Sequence, residues 1–482
     1  MIIAARITIV LALVVGTAAA LHYAQLDLTL SHYDARGHLM VARRVFDNMM
    51  PGWIQLGAVW LPLPHVLNAL PAQWDWSYRT GATGVVFSIL PLSIGLSALA
   101  GYLAERTQSV LLAVAIPLVV LLNPNVLYLQ STPMTEPLLF GLSFLALVMV
   151  DRWIVRPDAS LHATGVVLVL LMLTRYEGWL ITGALMGFAM LAHPRQAVRL
   201  AVYPAAALVG FLFLSYGSTG HWFVASGFFE ATNPALGKPL LAWEQIVQAA
   251  TSLSDSNLMR IGTLGGLGVL ATAFVARREG RAAVVRGLLP LALLAAVALP
   301  LYAFSSGHPV RVRYMVSLVV ALTVLSACAL RWLPARLRGA GAVAFLGVMV
   351  WTIPPLDPQA PMVREAQWER PYAEARRVVT AALAERWDGT PIMASMGSLG
   401  HYMQQMSHAG FDLRDFLHEG NGDIWKAAEI APAPYVRWIL IEESAEGGDV
   451  LAQHARASAR FLAGFTRVAE GGGVALYERH PR

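Results

Sequence analysis

Long apolar runs recur along the chain and constrain its fold more than any other feature. They lie near residues 2–24, 79–103, 108–122, 135–152, 163–176, 178–192, 198–216, 260–276, 286–304, 312–332 and 339–355. A transmembrane helix needs about 20 predominantly apolar residues, and most of the runs approach that length. Charged residues make up 13% of the 482 residues, about half the share usual in soluble domains. The sequence therefore predicts a polytopic α-helical membrane protein with about eleven transmembrane helices.

The arginine-rich loops indicate how these helices are oriented, because cytoplasmic loops carry an excess of Lys and Arg. The region 163–192 could be one long span or two short spans around 174–179. If the region forms two spans, every arginine-rich loop lies on the cytoplasmic side. These loops are 104–108, 151–158, 193–199, 276–286 and 331–338. We therefore expect an inner (plasma) membrane protein with a cytoplasmic N-terminus. The first run could instead be a signal peptide, and either interpretation places residue 31 outside.

This topology gathers the polar segments on the outer side. The outer segments are 25–78, 123–137, 174–179, 217–259 and 305–314. We expect interfacial helices in 25–78, with tryptophans at the level of the lipid headgroups. After residue 355 the pattern changes to helices near 370–387 and 449–464, with strands near 390–395, 435–443, 465–471 and 473–480. The predicted domains are a transmembrane domain, 1–355, and a small extracytoplasmic α/β domain, 356–482.

The first outer segment places charged residues directly after the membrane. Asp34 and His38 are four residues apart and share one face of a predicted helix. Arg43, Arg44 and Asp47 fit the solvated face of an interfacial helix, and we expect them to be exposed. Asp34 could likewise be solvated, but other polar residues reach the same side, and we favour a functional role for it.

Three further outer features carry charge. Glu136 begins a long apolar helix, where it could be a helix cap or a functional acid. Arg175 and Glu177 lie between two short apolar helices, as a structural ion pair or as the lining of a cavity. The segment 305–314 contains His308, Arg311, Arg313 and Tyr314. Arginines on the outer side depart from the usual charge bias, and guanidinium groups match the geometry of phosphate.

Carboxylates and arginines on one side suit a lipid-phosphate substrate. A carboxylate could deprotonate an acceptor hydroxyl. Arginines, or Mg²⁺ or Mn²⁺ held by Asp34 and Glu136, could stabilise the departing phosphate. The sequence has no Walker-type phosphate loop and no basic stripe for nucleic acid. Cys328 is the single cysteine, which excludes a disulfide framework.

These residues resemble the GT-C superfamily of polyprenyl-phosphate-dependent glycosyltransferases. The closer similarity is to the bacterial branch related to protein O-mannosyltransferases and aminoarabinose transferases. The similar segments are "YDARGHL", "STPMTEPLLF", "LTRYEGW", "RVRYM" and the late strand "VALYERH". The resemblance implies that Asp34 acts at the catalytic centre as base or metal ligand. It also implies that Glu136 is the acid of the second outer loop, and that Arg175 and Arg313 are candidates for the donor phosphate. The first loop lacks the second adjacent acid of some relatives, which weakens the expectation of a metal.

The sequence-based hypothesis is transfer of a sugar from a polyprenyl-phosphate carrier to an extracytoplasmic acceptor, with inversion. The acceptor could be a lipid, a polysaccharide or a protein. The residues expected to contact substrate are Tyr33, His38, His65, Arg175, Tyr176, Glu177, His308, Arg311, Arg313 and Tyr314. A transporter or flippase for a lipid-linked sugar is the alternative, and it predicts charges through the membrane midplane and paired broken helices. A non-catalytic scaffold is a third possibility, but it would not explain why the carboxylates gather on one side of the membrane.

Overall fold

The computed structural model describes residues 1–224, 232–444 and 448–480. The α-helices are α1 (Ile2–Gln25), α2 (Tyr33–Arg43), α3 (Leu63–Ala69), α4 (Asp75–Thr80), α5 (Ala82–Thr107), α6 (Val110–Leu122), α7 (Pro124–Gln130), α8 (Glu136–Val155), α9 (Leu161–Met172), α10 (Tyr176–Ala192), α11 (Pro194–Thr219), α12 (Pro239–Leu253), α13 (Ser256–Ala276), α14 (Arg281–Leu288), α15 (Ala298–Ser305), α16 (Val316–Arg331), α17 (Ala335–Thr352), α18 (Pro361–Glu365), α19 (Arg370–Arg386), α20 (Met396–Leu399), α21 (Met403–His408), α22 (Gly422–Ile430) and α23 (Val450–Ala457). The strands are β1 (Ile392–Ala394), β2 (Phe416–Leu417), β3 (Trp438–Glu442), β4 (Phe465–Gly471) and β5 (Val474–Arg479). Turns of 3-10 helix occupy Trp53–Leu56, Pro71–Gln73, Arg277–Glu279, Leu289–Val297, Val312–Met315, Leu413–Asp415 and Glu419–Asn421.

Several helices can cross a membrane, which confirms the predicted class. In the part of the chain that the structure describes, seven helical segments are long and apolar enough. They are Ile2–Gln25, Ala82–Thr107, Glu136–Val155, Pro194–Thr219, Ser256–Glu279, Arg281–Ser305 and Val312–Arg331. The pair α6 and α7 forms an eighth candidate with a bend of 71°. The region 163–192 is divided into α9 and α10 as the loop charges predicted. The count of eleven spans and the orientation of the termini stay predictions.

The chain divides into two compact units. The first unit comprises Met1–Leu26, Val85–Phe211 and Phe229–Arg364. The second unit comprises Asp27–Gly84, Leu212–Phe228 and Glu365–Arg482. The outer segment predicted at 25–78 thus groups with the C-terminal residues, whereas the sequence pattern had placed it with the transmembrane helices. The predicted boundary at residue 355 stays a prediction about organisation along the sequence.

In the first unit, α5 and α8 cross at two glycines. A Cβ atom on Gly95 would lie 2.3 Å from the carbonyl oxygen of Gly141, and a Cβ on Gly141 would lie 2.2 Å from that of Pro91. Small residues let membrane helices approach to backbone contact, where packing replaces the absent hydrophobic driving force. Glycine is therefore required at both positions of this crossing. The crossing positions α8, the helix that begins with Glu136.

The second unit contains a mixed five-stranded sheet in the order β2-β1-β3-β5-β4. Strands β2, β1 and β3 are parallel, while β5 is antiparallel to both β3 and β4. Every residue of β1 and β3 is buried. Central strands covered on both faces are typical of a sheet between two helical layers. The small C-terminal α/β domain predicted from the sequence is therefore present.

Each face of the sheet supports its own apolar cluster. On one face, Ile392 and Trp438 pack with side chains of α19 and α21, and also with Met40 and Val41 of α2. On the other face, Ile439 packs with side chains of α22 and α23. Alternate residues of a strand point to opposite faces, which accounts for the division. Helix α2, which carries Asp34, is therefore part of the core of the second unit.

The expectation that Arg43, Arg44 and Asp47 are exposed is wrong for Arg43 and Asp47. Arg43 is 4% exposed and Asp47 is 5% exposed. The Arg43 guanidinium donates to Asp47 at 2.8 Å, to Asp75 at 2.7 Å and to Asp412 at 3.2 Å. Arg44 is half-buried, and its Nε donates to a backbone carbonyl. Burial of a charge is tolerated when carboxylates surround it, so Arg43 joins three segments of the second unit.

Candidate active site

Glu136 is the first residue of α8 and is 1% exposed. The turn before it is held by the Ser88 hydroxyl, which donates to the carbonyl oxygens of Thr132 and Met134. Pro137 follows at a position where its missing N–H costs nothing. An acid at a helix N-terminus interacts favourably with the helix dipole. The local sequence therefore holds a buried carboxylate in a fixed turn.

Arg175 connects this carboxylate to a second one. Its Nη1 lies 3.0 Å from Glu136 Oε1 and donates to the Thr135 hydroxyl at 2.8 Å. Its Nη2 lies 2.8 Å from Glu177 Oε1, and its Nε donates to Glu177 Oε2 at 3.2 Å. The predicted Arg175–Glu177 pair is thus present, and Glu136 completes an acid–arginine–acid cluster. Charge-assisted bonds of this kind fix geometry as well as adding energy.

The segment "LTRYEGW" forms a tight turn that places Arg175. Arg175 is extended and precedes α10. The Trp179 indole donates to the carbonyl oxygen of Met172 at 2.8 Å, which joins the two short helices. A Cβ on Gly178 would lie 2.4 Å from the carbonyl oxygen of Leu171. Glycine therefore allows the first turn of α10 to approach the end of α9.

Arg313 lies close enough to Arg175 to act on it electrostatically. It is 8% exposed and sits in the 3-10 turn Val312–Met315, with Arg311 half-buried just before the turn. Tyr314 packs against the ring of His308, with ring centres 5.8 Å apart. Asn233 donates to the carbonyl oxygen of His308 at 3.0 Å and holds this loop. The predicted outer arginine is thus a neighbour of the Glu136 cluster.

Asp34 belongs to the second unit and lies in the first turn of α2, 6% exposed. Its backbone N–H donates to Nδ1 of His32, the N-cap residue, at 3.1 Å. Nε2 of His32 lies 3.6 Å from Glu365 Oε1, and the Tyr33 ring stacks on the His32 ring at 4.7 Å. His32 therefore caps the start of the helix that carries Asp34.

His38 and His65 are hydrogen-bonded to each other in the same unit. Nδ1 of His38 lies 3.0 Å from Nε2 of His65, and Nδ1 of His65 lies 3.0 Å from the carbonyl oxygen of Leu61. The Trp60 ring centre lies 4.1 Å from that of His38. Burial lowers the pKa of His65 to about 3. The two predicted substrate contacts thus form one buried pair.

The predicted site residues therefore form groups within each unit. In the first unit Glu136, Arg175 and Glu177 are in contact, with Arg313 nearby. Tyr176 begins α10 and packs against Trp179, with ring centres 5.2 Å apart. In the second unit Tyr33, Asp34, His38 and His65 lie on or against α2. The roles of all of these residues stay predictions.

The residues predicted to hold a divalent cation are not grouped with further metal ligands in the part of the chain that the structure describes. Within residues 1–224, 232–444 and 448–480, no three His, Cys, Asp or Glu side chains are grouped as metal ligands. The Glu136 carboxylate already interacts with the Arg175 guanidinium. Mg²⁺ or Mn²⁺ held by Asp34 and Glu136 stays a prediction, and we derive no chemical step through a metal.

Sequence analysis did not single out Thr135, His32, Trp60 and Glu365 for the roles that the structure gives them. Trp60 lies in the segment whose tryptophans were expected at the level of the lipid headgroups. His32 lies next to the predicted site and was a detectable candidate. Glu365 is 333 residues from His32, and no local pattern could connect the two. Long-range partners of this kind follow from the packing of the fold.

No protein-family model matches the chain, and no curated protein matches it. Two crystal structures of ArnT from Cupriavidus metallidurans share its fold. One has undecaprenyl phosphate bound, with a TM-score of 0.53, and the other is the apo state, with a TM-score of 0.54. In each comparison the identity is 14%, and the match covers 97% of this chain and 99% of ArnT. The resemblance predicted from the sequence is confirmed for the fold.

Proposed function

We propose that this protein is a membrane glycosyltransferase that moves a sugar from a polyprenyl-phosphate carrier to an extracytoplasmic acceptor, with inversion. The observation that carries the proposal is the Glu136, Arg175 and Glu177 cluster, with Arg313 nearby, at the start of the apolar helix α8. This combination suits an amphiphile with an anionic headgroup. The ArnT fold, with undecaprenyl phosphate bound in one of the two structures, supports the same class of donor.

A small apolar gap lies between α8, α10, α16 and the 3-10 turn Leu289–Val297. Its volume is about 10 Å³, which is the space of roughly one water molecule. Its lining residues are Leu139, Phe140, Ser143, Phe144, Ile181, Leu293, Ser317, Val320 and Ala321. Leu139 and Phe140 follow Glu136 by three and four residues on α8. Residues at these spacings share one helix face. An isoprenoid chain lying along this face of α8 would bring its phosphate to the arginines.

Two arginines of the first unit lie near one another. Arg175 contacts Glu136 and Glu177 and so fixes both acids, and Arg313 is close enough to act on Arg175 electrostatically. We assign the donor phosphate to Arg175 and Arg313 together, because guanidinium groups match the geometry of phosphate. Guanidinium groups stabilise the negative charge that develops on a departing phosphate. This would favour cleavage of the bond between the phosphate oxygen and the sugar.

Asp34 supplies the basic side of the proposed reaction. The acceptor hydroxyl attacks the anomeric carbon from the face opposite the phosphate, which inverts that centre. A carboxylate near the hydroxyl promotes loss of its proton. The buried N-terminal turn of α2, capped by His32, holds the backbone at Asp34 in place. The proposal does not specify the identity of the acceptor or of the transferred sugar.

Binding of undecaprenyl phosphate to the full-length protein in detergent tests the donor class. Native mass spectrometry should show undecaprenyl phosphate bound in preference to undecaprenol, which lacks the phosphate. Arg313→Ala should weaken phosphate binding about tenfold or more, because a hydrogen bond to a charged group is worth about 1.5–3 kcal/mol. Arg199→Ala is the matched control, since Arg199 is exposed and pairs with Asp158. Equal binding of the two lipids would overturn the assignment.

Transfer is tested with undecaprenyl phosphate-linked hexoses and pentoses in the presence of bacterial envelope membranes as the acceptor source. The wild type should release undecaprenyl phosphate, and Asp34→Asn should abolish the release while retaining lipid binding. Full release by Asp34→Asn would contradict the role of Asp34. Movement of the lipid-linked sugar across vesicle membranes without any release would instead support a flippase.

A further inference from the structure

The hydroxyl of Thr135 does not cap its own helix. A threonine at the N-cap usually accepts a hydrogen bond from a backbone N–H of the first turn, but the Thr135 side chain makes no such bond at the start of α8. Its oxygen instead accepts from Nη1 of Arg175 at 2.8 Å. A guanidinium can only donate, so the hydroxyl proton of Thr135 must be donated elsewhere. The residues that the structure describes provide no acceptor for it.

The carboxylate of Glu136 has acceptor capacity that the chain leaves unfilled. Glu136 is 1% exposed, and neither of its oxygens accepts a hydrogen bond from the described part of the chain. Nη1 of Arg175 lies 3.0 Å from Oε1 as an ion contact, without the alignment of a hydrogen bond. A carboxylate can accept about four hydrogen bonds, and buried polar atoms are nearly always satisfied. Glu136 therefore lacks donors that a bound molecule could supply.

Glu177 differs from Glu136 although both contact Arg175. Its Oε1 accepts from Nη2 of Arg175 at 2.8 Å, and its Oε2 accepts from Nε at 3.2 Å. Two parallel hydrogen bonds of this kind satisfy a carboxylate and fix its geometry. Glu177 is therefore the acid that positions Arg175, and Glu136 is the acid that remains for a ligand.

The Thr135 hydroxyl and the Glu136 carboxylate lie next to each other in the first unit. Both contact the same nitrogen, Nη1 of Arg175. The first has a proton to donate, and the second has lone pairs to fill. A ligand hydroxyl satisfies both, because it donates its own proton and accepts with its oxygen. An ammonium group can only donate, and its charge would lie beside that of Arg175.

We propose that the turn of Thr135 and Glu136 binds the hydroxyl of the donor sugar on the carbon next to the anomeric carbon. The inference rests on the proposed function and names its class of sugar. Arg175 is one of the two arginines assigned to the donor phosphate, and this hydroxyl is the sugar hydroxyl nearest to that phosphate. It donates to Glu136 and accepts from Thr135. The transferred sugar is therefore a hexose or pentose with a free hydroxyl at this carbon, in place of an amino or acetamido group.

Competitive binding to the full-length protein in detergent, followed by native mass spectrometry, tests the assignment. The lipids are undecaprenyl phosphate-linked glucose and mannose, which carry this hydroxyl in its two orientations, and the 2-deoxy analogue that the two sugars share. One of the two hydroxyl lipids should bind about tenfold or more tighter than the 2-deoxy analogue, because loss of the hydroxyl leaves buried polar groups unpaired. The 2-amino-2-deoxy analogue should bind no better than the 2-deoxy lipid. Equal binding of the hydroxyl and deoxy lipids, or tightest binding of the amino analogue, would overturn the proposal.

Variants separate this role from a structural one through the ratio of the two affinities. Thr135→Val should reduce the preference for the hydroxyl lipid over the deoxy lipid to about threefold or less, and Thr135→Ser should restore it. Glu177→Gln should weaken binding of both lipids alike. Thr182→Val is the matched control, because its hydroxyl is also buried and also lacks a partner among the described residues, and it should keep the wild-type preference. A Thr135→Val variant that weakens both lipids equally would show a structural role only and refute the inference.

The proposed function is judged separately by the comparison of undecaprenyl phosphate with undecaprenol. If the wild type prefers undecaprenyl phosphate but binds the hydroxyl and deoxy lipids equally, the sugar assignment is refuted and the proposed function survives. If the wild type shows no preference for the phosphate, the proposed function and this inference fall together.

Discussion

Replacing Arg43 with methionine should destabilise the start of the second unit by about 3–4 kcal/mol. The main cost is Asp47, which is 5% exposed and would lose its closest cation. Breaking a buried ion pair costs about 3–5 kcal/mol. Asp47 keeps the backbone N–H groups of Leu413 and Arg414, which favours the lower end of that range. The guanidinium also lies 4.6 Å from the centre of the Tyr78 ring, a contact worth about 0.5–2 kcal/mol.

The matched control is Arg414→Ala, because Arg414 contacts the same carboxylates from outside. Arg414 lies 3.3 Å from Asp47 and 3.1 Å from Asp412, but its side chain is 63% exposed. Exposed ion pairs are worth about 0–1 kcal/mol, so this variant should change stability little. The two arginines thus differ in burial while sharing partners.

Hydrogen exchange, measured by mass spectrometry on the reconstituted full-length chain, reports the local stability around each arginine. Since 1.4 kcal/mol corresponds to a factor of about ten, Arg43→Met should accelerate exchange in α2 and in residues 411–418 on the order of a hundredfold or more. Arg414→Ala should accelerate it by no more than about fivefold. Equal effects of the two variants, or no effect of Arg43→Met, would refute the argument that burial makes the Arg43 network stabilising.

Two further predictions concern other parts of the fold. Gly141→Ala should destabilise the α5–α8 crossing by about 1–3 kcal/mol, because its Cβ would lie 2.2 Å from a backbone oxygen. Gly183→Ala on α10 meets nothing within 4 Å and should be neutral or stabilising, and equal thermal unfolding of the two variants in detergent would contradict the crossing geometry. The lowered pKa of His65 means that the unfolded chain binds more protons than the folded one between about pH 6.5 and 3. Stability from this group is therefore present above pH 6.5 and is lost as the pH falls, by about 1.5 kcal/mol between pH 6.5 and 5. The unfolding free energy of His65→Gln should lack this part of the pH dependence, and an unchanged slope would contradict it.

The sequence predicted the larger elements well because lipid imposes a strong pattern. In the bilayer every backbone polar group must be satisfied within a helix, so the apolar run at 135–152 closely anticipates α8. The helix at 370–387 and the strand at 465–471 were also located, since their periodicities differ. β2 has two residues and is too short for an alternating pattern. Helix α12 lies in a segment that was interpreted as a loop, because its apolar stripe is interrupted by polar residues.

The site was predictable in its residue types and only partly in its contacts. Arg175 and Glu177 are two residues apart, and the ion pair between them was anticipated from the sequence. The contact of Arg175 with Glu136 depends on how the ends of α8 and α10 meet. Arg43 has the same chemistry as Arg175, yet no local pattern indicates that it is buried, since its partner Asp412 lies 369 residues away. Arg175 lies between Glu136 and Glu177 at the ends of α8 and α10, whereas Arg43 lies among three carboxylates. The different surroundings of the two arginines therefore come from the distant side chains that the fold brings to each.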